Sequence, residues 1–216
     1  MIVIMLGPPG SGKGTQSQRL SEILRIPQIA TGDIFRALLK TESDLARRVR
    51  VFMDAGQLIP DETVVEVVQK RLEQPDCQAG YILDGFPRTA GQAESLMRFL
   101  KKRKLKLDTV VSLTVPDDVL IKRLSGRRTC LACGAAYHVD FAPPKVAMVC
   151  DRCGAKLVHR NDDQEATIRE RLAVYQGQTK PLIEYYQAQG LLKTVDGTVD
   201  VDVITKNIQK ILKARK

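Results

Sequence analysis

The sequence predicts an α/β fold, a parallel sheet covered by helices on both faces and interrupted by a metal-binding insert. Three observations carry this. Apolar runs at Ile2-Val3-Ile4-Met5-Leu6, Tyr81-Ile82-Leu83 and Thr109 to Val115 alternate with segments whose apolar residues recur at helical spacing. The first run leads directly into Gly7-Pro8-Pro9-Gly10-Ser11-Gly12-Lys13-Gly14-Thr15, in the strand, glycine-rich turn and helix order of a phosphate-binding loop. The alternation then stops between Arg127 and about Asp163, where two Cys-x-x-Cys pairs stand sixteen residues apart.

Taken in order, Ile2 to Leu6 suits a strand buried on both faces. Glycines in the next turn let backbone N–H groups converge on an anion, and the N-terminus of the following helix, marked by Leu20, Ile23 and Leu24, adds positive potential. Lys13 places an ammonium on the outer phosphates. The rival, an ordinary strand-to-helix turn with a solvated lysine, leaves this spacing unexplained. Gly14 stands where such loops usually carry a Mg²⁺-binding hydroxyl, which leaves that task to Thr15 or to waters. Thr31 or Asp33 is expected to cap a helix through Leu39, and a second helix runs from about Ser43 to Ala55. Gly56 to Pro60 is a turn, and Asp61 and Glu62 charge the start of a longer helix carrying Val64, Val65, Val68 and Leu72.

Gly80 to Thr89 reads as a buried strand entering a polar turn, with Asp84 at its carboxyl end, where open α/β sheets bind ligands. There Asp84 suits the waters of a Mg²⁺ ion. The helix from Thr89 ends in Lys101, Lys102, Arg103, Lys104 and Lys106, a solvated basic end. A β-rich segment from Thr109 and a helix from Pro116 to Leu124 follow. Cys130, Cys133, Cys150 and Cys153 then form the spacing of a four-thiolate structural zinc site. Two disulfides are the rival pairing. Cys77 has no such partner, and His138 and His159 are expected to pack or hydrogen-bond. Arg123, Arg127 and Arg128 precede the insert, while Arg160 and Arg171 follow it, Arg171 on a helix with Ile168, Leu172 and Tyr175. Arginines at both roots suit a clamp on phosphates.

Composition sets the class. A chain of 216 residues, 44% apolar and 27% charged, has room for a sizeable core and reads as globular. No apolar stretch reaches membrane-spanning length and the start lacks signal-peptide form, so a cytoplasmic protein is expected. A net charge of +9 favours anionic partners, yet aromatics at 5% leave no aromatic-rich basic stripe for single-stranded nucleic acid.

The motifs together resemble the adenylate kinases of the long-lid, zinc-containing bacterial type, and the resemblance covers essentially the whole chain. GPPGSGKGT is similar to the family's phosphate loop, glycine after the lysine included. TGDIFR resembles its monophosphate segment, LDGFPRT its central signature, RLSGRR its lid root, the four cysteines its zinc knuckles and RNDDQEATIRERL its lid exit. The resemblance implies a nucleoside-monophosphate kinase fold with a five-stranded parallel sheet. Its core would comprise 1–30, 61–126 and 165–216, with two mobile inserts, 31–60 for the monophosphate and 127–164 as a zinc lid.

It further implies transfer of a phosphoryl group from Mg-ATP to AMP by a monomer that needs neither nucleic acid nor membrane. Gly10, Ser11, Gly12, Lys13, Gly14, Thr15, Arg123, Arg127, Tyr137 and Gly197 would bind ATP. Thr31, Arg36, Gln57, Leu58, Ile59, Gly85, Arg88, Gln92, Arg160 and Arg171 would bind AMP. Lys13, Arg88, Arg123, Arg160, Arg171 and Asp84 would carry the chemistry, with Asp162 and Asp163 holding Arg127 and its neighbours. A cis Phe86-Pro87 bond is also implied. UMP or CMP as acceptor, or GTP as donor, are the nearest alternatives; Thr31 favours AMP, since uridylate–cytidylate kinases tend to have a smaller residue there. A zinc-ribbon nucleic-acid binder would explain the charge and cysteines but not the phosphate loop.

Overall fold

The computed structural model describes residues 1–214. The elements run β1 (Ile2–Leu6), α1 (Lys13–Leu24), β2 (Gln28–Ala30), α2 (Thr31–Leu38), α3 (Asp44–Asp54), α4 (Asp61–Leu72), β3 (Tyr81–Asp84) and α5 (Ala90–Lys102). They continue with β4 (Thr109–Thr114), α6 (Asp117–Ser125), β5 (Arg127–Cys130), β6 (Ala136–His138), β7 (Leu157–Val158), α7 (Glu165–Val174), α8 (Leu182–Ala188), β8 (Leu192–Asp196) and α9 (Val201–Lys213).

Five strands form a parallel sheet in the order β2-β3-β1-β4-β8. Side chains on β1 alternate between two cores, because successive residues of a strand face opposite ways. Ile2, Ile4 and Leu6 join Val68, Leu96 and Leu100 on one face, while Val3 and Met5 join Leu20, Ile204 and Ile208 on the other. Both faces are thus sealed by helices, as the apolar β1 run requires. From β1 the chain runs out to β2, returns to β3 beside β1 and then crosses to β4 on the other side, so the crevice at the carboxyl end of β1 is the switch point where such sheets take ligands. The Gly7 to Thr15 loop occupies it.

Segment 127–163 forms a separate antiparallel sheet, β6-β5-β7, with its own small core of Cys130, Cys150 and Leu157. It rises from α6 and returns into α7. These two helices share a further cluster of Leu120, Leu124, Ile168 and Leu172. The root is clasped by His138, whose Nε2 lies 3.1 Å from the Lys122 carbonyl while Nδ1 accepts from the N–H groups of Asp140 (3.0 Å) and Phe141 (3.1 Å). Gly126 is obligatory beneath it, since a Cβ there would meet the imidazole at 2.2 Å. His138 is therefore hydrogen-bonded as expected. His159 differs: its Nε2 is enclosed without a hydrogen-bond partner.

Three local expectations change. Neither Thr31 nor Asp33 caps α2: the N-cap is Ala30, without a side-chain cap, because the Thr31 hydroxyl donates instead to the Gly85 carbonyl at 2.8 Å. Ile23 faces outward at 50% exposure, since the inward face of α1 is carried by Gln16, Ser17 and Leu20. And the helix expected to carry Tyr175 with Arg171 ends at Val174, Tyr175–Thr179 being a π-helical turn before α8. Ser43 and Thr89 do cap their helices, accepting from Ala46 N (3.2 Å) and Gln92 N (3.1 Å). The Phe86-Pro87 bond is cis.

Candidate active site and metal centre

The phosphate loop holds its shape through backbone that only glycine adopts freely. Gly10 (φ 83°) presses so closely on α6 that a Cβ would stand 2.9 Å from Leu124 Cγ, and Gly12 (φ 95°) starts α1. Lys13, the first residue of α1, turns its ammonium back to donate to the carbonyls of Gly7 (2.7 Å) and Pro8 (2.8 Å). Desolvation pulls its pKa down to about 7; Asp84 opposes that pull, and Arg88, Arg171 and Arg127 reinforce it.

Asp84 ends β3 beside this loop. A Cβ on Gly14 would lie 3.4 Å from its Oδ2, so the missing loop hydroxyl leaves room for a carboxylate. Gln28 on β2 donates to that same oxygen at 3.0 Å. Burial raises the Asp84 pKa and Lys13 counters it. A desolvated carboxylate with few protein donors, next to a phosphate loop, suits the water shell of a hydrated divalent cation.

Across the crevice the arginines are held by carboxylates and carbonyls. Arg127 makes a two-pronged pair with Asp163 (2.7 and 2.5 Å), and Arg171 donates to the Asp162 carbonyl (2.7 Å) and to Asp163 (3.0 Å). Asp163 is fully buried between them. Arg160 Nε donates to Thr129 Oγ1 (2.9 Å), Arg88 Nε to the Gly85 carbonyl (2.8 Å), and Arg36 to Asp33 (2.6 Å). Desolvation brings Arg88 and Arg160 each down to about 10. Repulsion from Arg171 and Arg36 adds to it at Arg88, and from Arg127 and Arg36 at Arg160. These five guanidinium groups and Lys13 therefore share one crevice whose positive potential only a polyanion would relieve. Arg123 stands at its edge, donating to the Gly197 carbonyl at 2.9 Å. Gly197 packs against the loop, where a Cβ would come within 3.2 Å of the Ser11 carbonyl.

A pocket of about 420 Å³, counting its open mouth, lies between α2, the end of α3, α4 and the start of α5. Thr31, Phe35, Leu58, Ile59, Val64 and Gln92 line it, with Gln57, Gly85 and Arg88. Apolar walls with a few polar groups suit a flat heterocycle next to a charged end. The segment beneath the pocket also touches the cysteine segment: Lys40 Nζ donates to the Leu131 carbonyl at 3.4 Å. The sequence-predicted residues of the phosphate loop and the arginine set thus meet, whereas among the described residues no polar contact joins the Tyr137 side chain to them. Its hydroxyl instead accepts from Asp151 N (2.8 Å) and lies 3.5 Å from Cys150 Sγ.

A family model described as adenylate kinase matches residues 5–191. The chain belongs to the adenylate kinase family. An adenylate kinase of Archaeoglobus fulgidus is 50% identical over 216 residues, the whole of both chains. One of Citrifermentans bemidjiense is 53% identical over 214 residues, 99% of this chain and all of that one. One from Geobacter sp. is 52% identical over the same span, with the same coverage.

In this member of the adenylate kinase family the four cysteines come together as one metal-binding group, their sulfurs all within 4.8 Å of one another. Cys130 and Cys153 lie 3.4 Å apart and Cys133 and Cys150 3.6 Å, too far for a sulfur–sulfur bond of about 2.05 Å. A tetrahedron with metal–sulfur bonds of about 2.3 Å has edges of roughly 3.8 Å, which these spacings approach. Gly134 and Gly154 turn at φ 75° and 74° and donate to the Cys130 and Cys150 carbonyls, closing each knuckle. The Tyr137 hydroxyl draws the Cys150 thiol down, while at Cys153 the pull of the Ala155 N–H is outweighed by the crowded Cys130 and Cys133 sulfurs, which push that thiol up. Cys77 lies apart as a buried free thiol beside Arg71.

Three contributors carried no sequence signal for their part: Gln28 on Asp84, Thr179 donating to the Arg88 carbonyl (2.9 Å), and Asp61 beside Gln92. No helix among the described residues is long and apolar enough to cross a membrane.

Proposed function

We propose that the chain transfers the γ-phosphoryl group of Mg-ATP reversibly to AMP, giving two ADP, as a cytoplasmic monomer in adenine nucleotide homeostasis. The observation that carries this is the convergence of Lys13 and the arginines on one crevice between the phosphate loop and the pocket. ATP lies along Gly10 to Thr15 with Arg123, Arg127, Tyr137 and Gly197 around it. AMP sits in the pocket with its phosphate on Arg36 and Arg88, while Thr31, Gln92 and the Gln57 to Ile59 backbone take the base. Arg160 and Arg171 then face both phosphate chains at the transferring group.

No general base is required. The second pKa of a phosphate monoester is about 6, so the acceptor is mostly dianionic at neutral pH and already a nucleophile. The obstacles are repulsion between two polyanions and loss of the phosphoryl group to water. Lys13 and the arginines lessen the first by stabilising charge as it spreads over the transferred group. Segments 31–60 and 127–164, as mobile inserts on the core of 1–30, 61–126 and 165–216, exclude water when they close. Magnesium arriving with ATP would supply further charge neutralisation, and Asp84 would hold its waters. Zinc on the four cysteines would be structural, because saturated thiolate coordination would leave no position for substrate.

The direct test is nucleotide exchange with ATP and Mg²⁺ against AMP, GMP, UMP and CMP in parallel. Rapid ADP formation with AMP alone is expected. Faster turnover of UMP or CMP would overturn the acceptor, and inactivity with every acceptor would overturn the reading itself.

A pH effect follows from Lys13. With its free pKa at about 7, the ammonium is largely deprotonated at pH 8, and bound phosphates raise that pKa again. The complex then holds more protons than the free protein, so ATP affinity should fall as pH rises above about 7. Calorimetry of Mg-ATP binding at pH 8, in two buffers of different ionisation enthalpy, should show uptake of a sizeable fraction of one proton. Identical enthalpies in both buffers would contradict it.

A further inference from the structure

We propose that Asp61 is a specificity-determining positioning residue, which acts by locking the amide of Gln92 in a single orientation. The inference rests on the pocket being the acceptor base site. Gln92 is 1% exposed, and its amide is held from both ends. Its Nε2 donates to Asp61 Oδ1 at 2.7 Å, and its Oε1 accepts from Arg88 N at 2.8 Å. Asp61 is fixed in turn by Thr89, whose hydroxyl donates to Oδ2 at 2.6 Å while accepting from Gln92 N at 3.1 Å.

Turning the amide over would set its oxygen against the Asp61 carboxylate and its NH₂ against the Arg88 N–H. Both contacts would then be mismatched, so only one orientation survives. An amide has two donors and two acceptor positions, and the protein takes one of each. What remains towards the pocket is one donor beside one acceptor, in a fixed order. An adenine edge, with its amino donor next to a ring-nitrogen acceptor, fits one order of such a pair. An oxopurine, with a carbonyl acceptor next to a ring N–H, needs the opposite order, which a freely turning glutamine would offer equally well. Asp61 therefore withholds the second arrangement, although it lies at the start of α4 and touches the base only through Gln92.

IMP is the probe, because it differs from AMP only at that edge. The ratio of kcat/KM for AMP to that for IMP is measured for the wild type, Asp61→Asn and Gln92→Leu. Asp61→Asn keeps shape but allows a donor to face Gln92. The ratio should fall at least tenfold, with KM rising for AMP and falling for IMP, and with kcat for AMP changing less than KM. Gln92→Leu should collapse the ratio as well. Should Asp61→Asn not fold, Asp61→Ala, which removes the acceptor and adds no donor, should still lower the ratio several-fold. An unchanged ratio in a folded Asp61 variant, while Gln92→Leu collapses it, overturns the lock and leaves the base site standing. An unchanged ratio in Gln92→Leu overturns the base site, and the lock with it.

Discussion

Replacing Lys13 with methionine should lower kcat by about two to three orders of magnitude while leaving the fold intact. Removing one preorganised group that stabilises transition-state charge typically costs about 2.7–4 kcal/mol. The methionine keeps the length and packing of the lysine stem at the start of α1, so a normal melting curve is expected. Among the described residues the ammonium is hydrogen-bonded to the carbonyls of Gly7 and Pro8 alone, inside the loop itself. Its loss therefore breaks no hydrogen bond between elements, although it removes the cation that opposes the burial of Asp84, a cost that Arg88 partly offsets. Single-turnover rates with saturating Mg-ATP and AMP are the measurement. A variant within a few-fold of wild type would show that the arginines alone carry the transferring charge.

Converting Cys130 to serine should release the metal and lower the melting temperature by roughly 10 °C, at about 2–4 °C per kcal/mol for a chain of this size. Cys130 is the cysteine with most to lose, being fully buried in the small core of segment 127–163 with Cys150 and Leu157. Free energies of about 10–16 kcal/mol for zinc in finger peptides are an upper bound, because α6 and α7 already hold both ends of the segment together. Phosphoryl transfer well below the transition should largely persist, since Arg123, Arg127, Arg160 and Arg171 are tied to Gly197, Asp163, Thr129 and Asp162 and not to the cysteines. Metal content, melts and initial rates belong on the same preparation. Loss of activity at a temperature where the core is folded and nucleotide still binds would give the metal a catalytic part.

What the sequence made legible is chemistry carried by adjacent residues. A loop that wraps phosphate must be continuous, and so must each half of a zinc knuckle, so Gly7 to Thr15 and both Cys-x-x-Cys pairs announced themselves. The alternating strands did so too, because β1 must be apolar on both faces to lie inside the sheet. Pairings made across long stretches of chain left no such trace. Asp61 looked like a helix-start charge, yet it meets Gln92 thirty-one residues later. Gln28 reaches Asp84 across fifty-six residues, and Thr179 reaches Arg88 across ninety-one. Thr31 was misread as a cap for a related reason: its hydroxyl has a distant carbonyl within reach, and a local rule sees only local partners. The π-helical turn that presents Thr179 has no compositional mark of its own.

The cluster shared by α6 and α7 belongs to neither face of the sheet, and this gives the molecule a mechanical character. The two helices act as a stalk carrying the cysteine segment at its tip, with the His138 clasp stiffening the joint. At the end of α6 that enters the cysteine segment the stalk bears on the phosphate loop, where Leu124 leaves Gly10 no room for even a methyl group. The phosphate loop and the root of the cysteine segment are thus joined by one tight contact, because Gly10, Leu120 and Leu124 meet within two turns of Gly126, where α6 ends. Any side chain at Gly10 would push on that root and on the loop alike.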